Sequence, residues 1–319
     1  QKLPATPVLQ LHIPKTAGSS MKKWADMTGY KVQDGNHQSW EGDGPYWIGA
    51  GARLANCQQR RWESRLRNVT WFPVERWLDL PLCEGFQYVV TLREPVPRVL
   101  HQFLHFFSYF GKSLSVEIQR QQPLGELVVE RFMALWRYEE LRHLFEGRRM
   151  SRKRLTQRVN MSLKEASDSM HWRSDWLELW LGMISNYQVR SLAGAGGANA
   201  YLEDGPKAAR RLMAAKASLE QFDVILTAGP KGLDIEDEKL LNTLRSTKRT
   251  LEPESVGFPF VSHHNFSDEK VQAFRFNSVN LSWPMAKELK MRNYADRVLV
   301  SYARRLRRLD RIYFEMLTG

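Results

Sequence analysis

Three short apolar runs stand out along the chain: residues 8–13 (VLQLHI), 86–92 (FQYVVTL) and 222–229 (FDVILTAG). Each has strand length and carries β-branched or aromatic residues, the composition of a strand buried on both faces. The first two lead directly into helical spacing. Residues 19–28 read as a helix with Ser19 or Ser20 as its cap. "VPRVLHQFLHFFSYF" is amphipathic, with Pro95 near its first turn. The third run follows a helical stretch, "GPKAARRLMAAKASLEQ". "DWLELWLGMISNYQVRSLAGAGGANA" passes from helix to a Gly/Ala loop, and residues 29–60 read as an irregular excursion. From Tyr294 to Met316 a long helix is expected, its apolar stripe formed by Val298, Tyr302, Leu306, Leu309, Ile312, Tyr313 and Met316 and packed in the core. Strands alternating with helices predict an α/β fold with a central, mostly parallel sheet flanked by helices. No repeat is visible. Residues 196–206 are the best linker candidate but are short, so residues 1–319 are expected to form a single domain.

Composition narrows the partners. Hydrophobic residues make up 43% of the 319, enough for a sizeable core. The net charge of +12 points to an anionic partner, whether a phosphorylated cofactor, an acidic glycan, a membrane surface or nucleic acid. The basic stretch 146–158 (EGRRMSRKRLTQR) reads first as a solvated face and second as a polyanion contact. Two cysteines, Cys57 and Cys83, exclude a disulfide scaffold and argue against a cysteine-built zinc site. Whether they pair is open at this level. Four Asn-x-Ser/Thr sequons, at Asn68, Asn160, Asn265 and Asn280, point to a secretory lumen. No apolar run approaches the roughly 20 residues of a membrane span. The chain begins at Gln1, and an anchor or signal removed ahead of it is expected.

The candidate chemistry lies where strands turn into helices. In "HIPKTAGSS" the first strand ends at a proline, followed by Lys15, Thr16, Ala17, Gly18, Ser19 and Ser20. Small residues at a helix start expose successive backbone N–H groups, and the helix dipole adds positive potential. Gly18 lets the backbone approach a ligand, Lys15 adds a full charge, and the hydroxyls donate further bonds. Together they form a phosphate cradle. G-x-x-x-x-G-K-[ST] is absent, and no acidic partner for Mg²⁺ is evident at a strand end. At the second corner, "VVTLREPVPRVLHQF", Arg93 closes the strand, with Arg98 and His101 in the following helix. An arginine fork there suits bidentate capture of a second phosphate. Two such corners imply a ligand with two separated anionic groups lying across the carboxyl ends of the strands.

"HIPKTAGSS" resembles the 5′-phosphosulfate loop of the Golgi carbohydrate sulfotransferases, "LREPVPR" their 3′-phosphate motif, and "NYQVRSLAG" a downstream segment of the heparan sulfate 6-O-sulfotransferases. The 2-O-/6-O-sulfotransferase branch is closest in pattern, and the likeness covers about a third of the chain. The resemblance implies a P-loop-like three-layer fold. It implies 3′-phosphoadenosine 5′-phosphosulfate (PAPS) as donor, adenosine 3′,5′-bisphosphate as product, no metal, and a Golgi lumenal type II protein. The acceptor would be a glycan or small molecule, anionic in character, and not nucleic acid. By position, Lys15 through Ser20 would hold the 5′-phosphosulfate and Arg93 the 3′-phosphate. His101 stands where the family usually has a serine. Arg190, with Asn186 and Gln188, would lie near donor or acceptor. Ser262, His263 and His264 would sit in a loop closing over the nucleotide.

Sulfuryl transfer needs in-line geometry, stabilised equatorial oxygens and a base for the acceptor hydroxyl. Glu75 and His37, the latter within "HQSW", are the two candidate bases. Trp24, Trp40, Trp47, Trp71 and Trp77 are candidates to stack on sugar, with core packing the plainer reading for each. Competing readings are a small-molecule, lipid or tyrosine acceptor, a nucleotide kinase with a degenerate P-loop, and a non-enzymatic basic module for heparin or nucleic acid.

Overall fold

The computed structural model describes residues 6–33, 57–75, 77–78, 81–110, 185–194, 205–229, 233, 240–241 and 283–318. Along these the elements are β1 (Val8–Leu11), α1 (Gly18–Met27), α2 (Cys57–Leu66), β2 (Trp71–Val74), β3 (Gln87–Arg93) and α3 (Pro95–Phe110). Then follow α4 (Tyr187–Leu192), α5 (Gly205–Leu219), β4 (Val224–Ala228), α6 (Trp283–Arg292) and α7 (Tyr294–Thr318).

The four strands form one all-parallel sheet in the order β2-β1-β3-β4. The α/β class read from the pattern is therefore present, with one strand more than expected. That strand, β2, is only four residues long and includes Pro73, a residue tolerated on an edge strand but atypical of strand interiors. Side chains alternate across the sheet. Leu9, Leu11, Phe72, Val74, Tyr88, Val90 and Ile225 share one cluster with residues of α4, α5, α6 and α7. Val8, Trp71, Val89, Val224 and Leu226 share the other with Met21, Trp24 and Ala25 of α1. Burial on both faces explains the near-continuous apolar runs.

The register sets up the carboxyl edge. Leu11 lies opposite Val90, so β3 runs on for three residues, about 10 Å, past the end of β1. Arg93 is thereby carried up beside the loop that follows β1. Beneath that loop, Trp71 Nε1 donates to Gln10 Oε1 at 2.7 Å, and Gln10 Nε2 donates to the Gly18 carbonyl at 2.9 Å. One buried glutamine thus ties β2, β1 and the start of α1 together.

Cys57 and Cys83 are joined in a disulfide, resolving the alternative left open by their number. Among the described residues no helix is long and apolar enough to cross a membrane. Two expectations are corrected. Neither Ser19 nor Ser20 caps α1; the helix begins at Gly18, Ala17 occupies the cap position, and no side chain caps it. On α7 the buried face is Ala295, Asp296, Leu299, Val300 and Ala303, whereas Leu309, Ile312, Tyr313 and Met316 are exposed. Of the expected stripe, Tyr302 and Leu306 pack against the core partly buried, while the fully buried face is centred about one position away on the small Ala295 and Ala303, which allow close packing.

Candidate functional site

The order β2-β1-β3-β4 places the topological switch between β1 and β3: from β1 the chain crosses to one side, and from β3 to the other. Ligands of open parallel sheets lie in the crevice at this point. The loop after β1 and the end of β3 border it, and both carry the cations singled out by the sequence.

In the first corner, Lys15 and Ala17 both adopt left-handed backbone conformations, with φ of 66° and 72°. Such conformations cost a non-glycine residue about 1 kcal/mol or more each and concentrate at binding sites. Thr16 is buried, and its hydroxyl donates to the Ile13 carbonyl at 2.7 Å, holding the turn. Gly18 has a reason different from the one expected. A Cβ built there would stand 1.7 Å from Cδ2 of His12, so the glycine makes room for the imidazole under the loop. Burial, then Lys15 and Lys22, push His12 down to about 4, which leaves it neutral at physiological pH.

Lys15 itself is pushed down to about 8 by burial, with Glu75 pulling the other way. Glu75 follows β2 directly, so a carboxylate does stand at a strand end, contrary to the sequence reading, and within electrostatic reach of Lys15.

At the second corner, Arg93 closes β3 with 7% of its surface exposed. Its Nη1 donates to the Lys15 carbonyl at 3.3 Å, and Nη2 lies 3.3 Å from His101 Nε2. Arginine only donates, so Nε2 accepts and the imidazole proton sits on Nδ1. Burial, then Arg93 and Lys15, push His101 down to about 3. It is a neutral acceptor, and the imidazolium alternative considered from the sequence does not arise near neutral pH. Arg93 is also lowered, by burial and by Arg98, from a value so high that it stays charged. Lys15 and Arg93 thus bring positive charge together at one crevice, with Arg98 buried within electrostatic reach of Arg93.

Behind Arg93 is a strap. The Gln188 carboxamide, fully buried, accepts from the Arg93 N–H at 2.9 Å and donates to the Arg93 carbonyl at 2.9 Å, as a neighbouring strand would. Asp296 of α7 accepts from the backbone N–H groups of Gln188 and Val189 at 3.2 and 2.9 Å. It stands within 3.4 Å of Gln188 Nε2. Asn186 is bound at both ends, its N–H donating to Asn293 and its side chain accepting from the Asp296 N–H. Burial raises the Asp296 carboxyl, opposed by Arg98, the two backbone donors and Arg190. Arg98, fully buried, and Arg190 both lie over the Tyr187 ring, at 5.3 and 5.7 Å. Arg190 Nε donates to the Ser185 carbonyl at 3.1 Å. Arg190 therefore supports α4 from within the buried polar cluster.

Comparison with protein-family models, curated proteins and solved structures finds no match to this chain.

Of the predicted site residues, Lys15, Thr16, Ala17, Gly18, Glu75, Arg93 and His101 gather at the carboxyl edge, and Ser19 and Ser20 lie in the first turn of α1 beside them. His37, Ser262, His263 and His264 lie outside the described residues, as do Trp40 and Trp47. Trp24 and Trp71 are fully buried in an aromatic cluster with Tyr30, which removes them as sugar platforms. Asp296 was missed. The stripe expected on α7 does not include it, and its partners Val189 and Gln188 lie 107 and 108 residues away in sequence.

Proposed function

We propose that this chain is a PAPS-dependent sulfotransferase with a P-loop-like fold, transferring a sulfuryl group to a hydroxyl of an anionic glycan in the Golgi lumen. The observation that carries the proposal is the meeting of the two corners: Arg93 donates to the Lys15 carbonyl across the switch point. One rigid contact there sets the spacing of two cationic sites, as a nucleotide with phosphates at both ends of its ribose requires. The motif resemblance names that nucleotide.

When bound, the donor supplies an activated sulfuryl group. The chain's own residues then have distinct tasks. The amides after Ala17, presented by an uncapped helix start, receive equatorial oxygens. Lys15 neutralises charge on the bridging oxygen as the bond to sulfur lengthens. Arg93, held by His101 and the Lys15 carbonyl, grips the distal phosphate. Glu75, which stands within electrostatic reach of Lys15, takes the proton of the acceptor hydroxyl. The disulfide supports an oxidising compartment such as the secretory lumen. An acceptor screen with labelled donor separates a glycan from a small molecule, lipid or tyrosine.

A second reading, a nucleotide kinase, gains support from Glu75 at the end of β2, where a Mg²⁺-bearing carboxylate would stand. Thermal shift decides between them. Adenosine 3′,5′-bisphosphate should stabilise the protein well beyond ATP–Mg²⁺; an equal or reversed order favours the kinase. Arg93→Ala should weaken binding of the bisphosphate by about 2 kcal/mol or more, and unchanged affinity removes Arg93 from the site.

A further inference from the structure

Of the four sequons, Asn68-Val69-Thr70 lies within the described residues, and its setting there is informative. Asn68 is exposed, in the turn between α2 and β2, with φ of 55°. Asparagine is among the few residues that take this left-handed conformation readily, so the turn is stable with its carboxamide-bearing residue exposed to solvent. Thr70 is buried, and its hydroxyl accepts the Lys31 N–H at 2.9 Å, so the sequon's third residue is held by the fold. The same region carries the Cys57–Cys83 disulfide, which opens α2 and marks an oxidising compartment.

We propose that Asn68 carries an N-linked glycan. The Asn68 carboxamide nitrogen forms a bond to the anomeric carbon of an oligosaccharide donated by a lipid-diphosphate carrier. The anomeric carbon–oxygen bond breaks, the lipid diphosphate leaves, and the amide gives up one proton. Placement makes the modification compatible with the crevice. Asn68 precedes the amino end of β2 and Glu75 follows its carboxyl end, so the strand's length, about 13 Å, separates the glycan from the switch point. The glycan projects from the opposite edge of the sheet. This assignment does not depend on which ligand the crevice takes.

The test is microsome-coupled translation of the chain behind a secretory signal, followed by peptide mapping with and without peptide-N-glycosidase F. The expected result is a glycosylated peptide containing Asn68, whose asparagine the glycosidase converts to aspartate as it releases the glycan. In N68G, which accepts the left-handed turn, the protein should migrate faster by one glycan before the enzyme and identically after it. T70S, which keeps both the sequon and a hydroxyl for Lys31, should retain the glycan. Recovery of an unmodified Asn68 peptide from lumenal, disulfide-bonded wild-type protein overturns the proposal, and this readout stands whether or not N68G accumulates.

Discussion

Lys15 offers the sharpest test of the site as a place where stability is given up for binding. Its ammonium falls from 10.5 to about 8 on folding, mainly through burial, with Glu75 recovering part of the loss. The folded-state value lies below that of the unfolded chain, so the proton is held less well in the native state. Between pH 8 and about 10.5 the unfolded chain keeps a proton the folded chain has released, and stability rises with pH through that window. Below pH 8 the full penalty applies. At about 1.4 kcal/mol per pH unit it amounts to about 3 kcal/mol, or about 2 kcal/mol once remaining solvent screening is credited. Lys15→Met keeps the stem and removes the charge. The unliganded variant should therefore be about 2–3 kcal/mol more stable than wild type at pH 7 in urea unfolding followed by the emission of buried Trp24 and Trp71. The gap should shrink toward zero by about pH 10, as the wild type sheds its proton. With no free thiol among the described residues, disulfide exchange does not confuse the alkaline arm. Turnover should fall about 100-fold or more. A variant less stable than wild type at pH 7, or a gap unchanged at pH 10, refutes the half-buried, strained placement of this lysine.

Three further outcomes follow from the same geometry. Gln188→Leu removes both partners of the Arg93 main chain, and should cost about 2–4 kcal/mol of stability and weaken adenosine 3′,5′-bisphosphate in calorimetry; unchanged affinity would make the strap purely structural. Because His101 is neutral down to about 3, bisphosphate binding between pH 5 and 7 should follow only the second ionisation of the ligand's own phosphates, identically in wild type and His101→Gln, and decline above about 8, where Lys15 loses its proton. An inflection near 6.5 that disappears in His101→Gln contradicts this. Replacing Cys57 and Cys83 together by serine opens a loop of 26 residues, worth about 3–4 kcal/mol by chain entropy, measurable as a lowered denaturation midpoint; an unchanged midpoint refutes the estimate.

The parts of the fold legible in the sequence were those whose signal is local. Buried parallel strands announce themselves as apolar runs, and three of four were visible for that reason. β2 was hidden because four residues with a proline in the third position carry no periodicity, and its membership is decided by pairing with β1. The cations of the crevice were legible because lysine and arginine at strand ends have few plainer explanations. Their supports were not. Gln188 acts on Arg93 across 95 residues and Asp296 acts on Gln188 across a further 108, distances at which one sequence shows composition but no contact. His12 illustrates the intermediate case: it was read as one residue of a strand, yet its ring dictates a glycine six positions later.

The costs at this corner also bear on why it exists. Two non-glycine residues sit in left-handed conformations, one of them the half-buried lysine, and the helix they introduce begins without a side-chain cap. At about 1 kcal/mol for each conformation and about 2–3 kcal/mol for the lysine, the loop forgoes about 4–5 kcal/mol, comparable to the whole stability of a marginal domain. A fold under no functional demand would relieve this with a glycine at 15 or 17 and a serine or aspartate cap, substitutions one residue away in chemistry. What the arrangement gains is a helix start with no side-chain cap, a partly desolvated ammonium and an anchored guanidinium, brought together beside the switch point. An anion at this corner would hold the proton on the lysine and complete the helix start that no side chain caps. On the proposed function, the strain is preorganisation for a multiply charged ligand. Accordingly, saturating bisphosphate should reverse the order of stability between wild type and Lys15→Met.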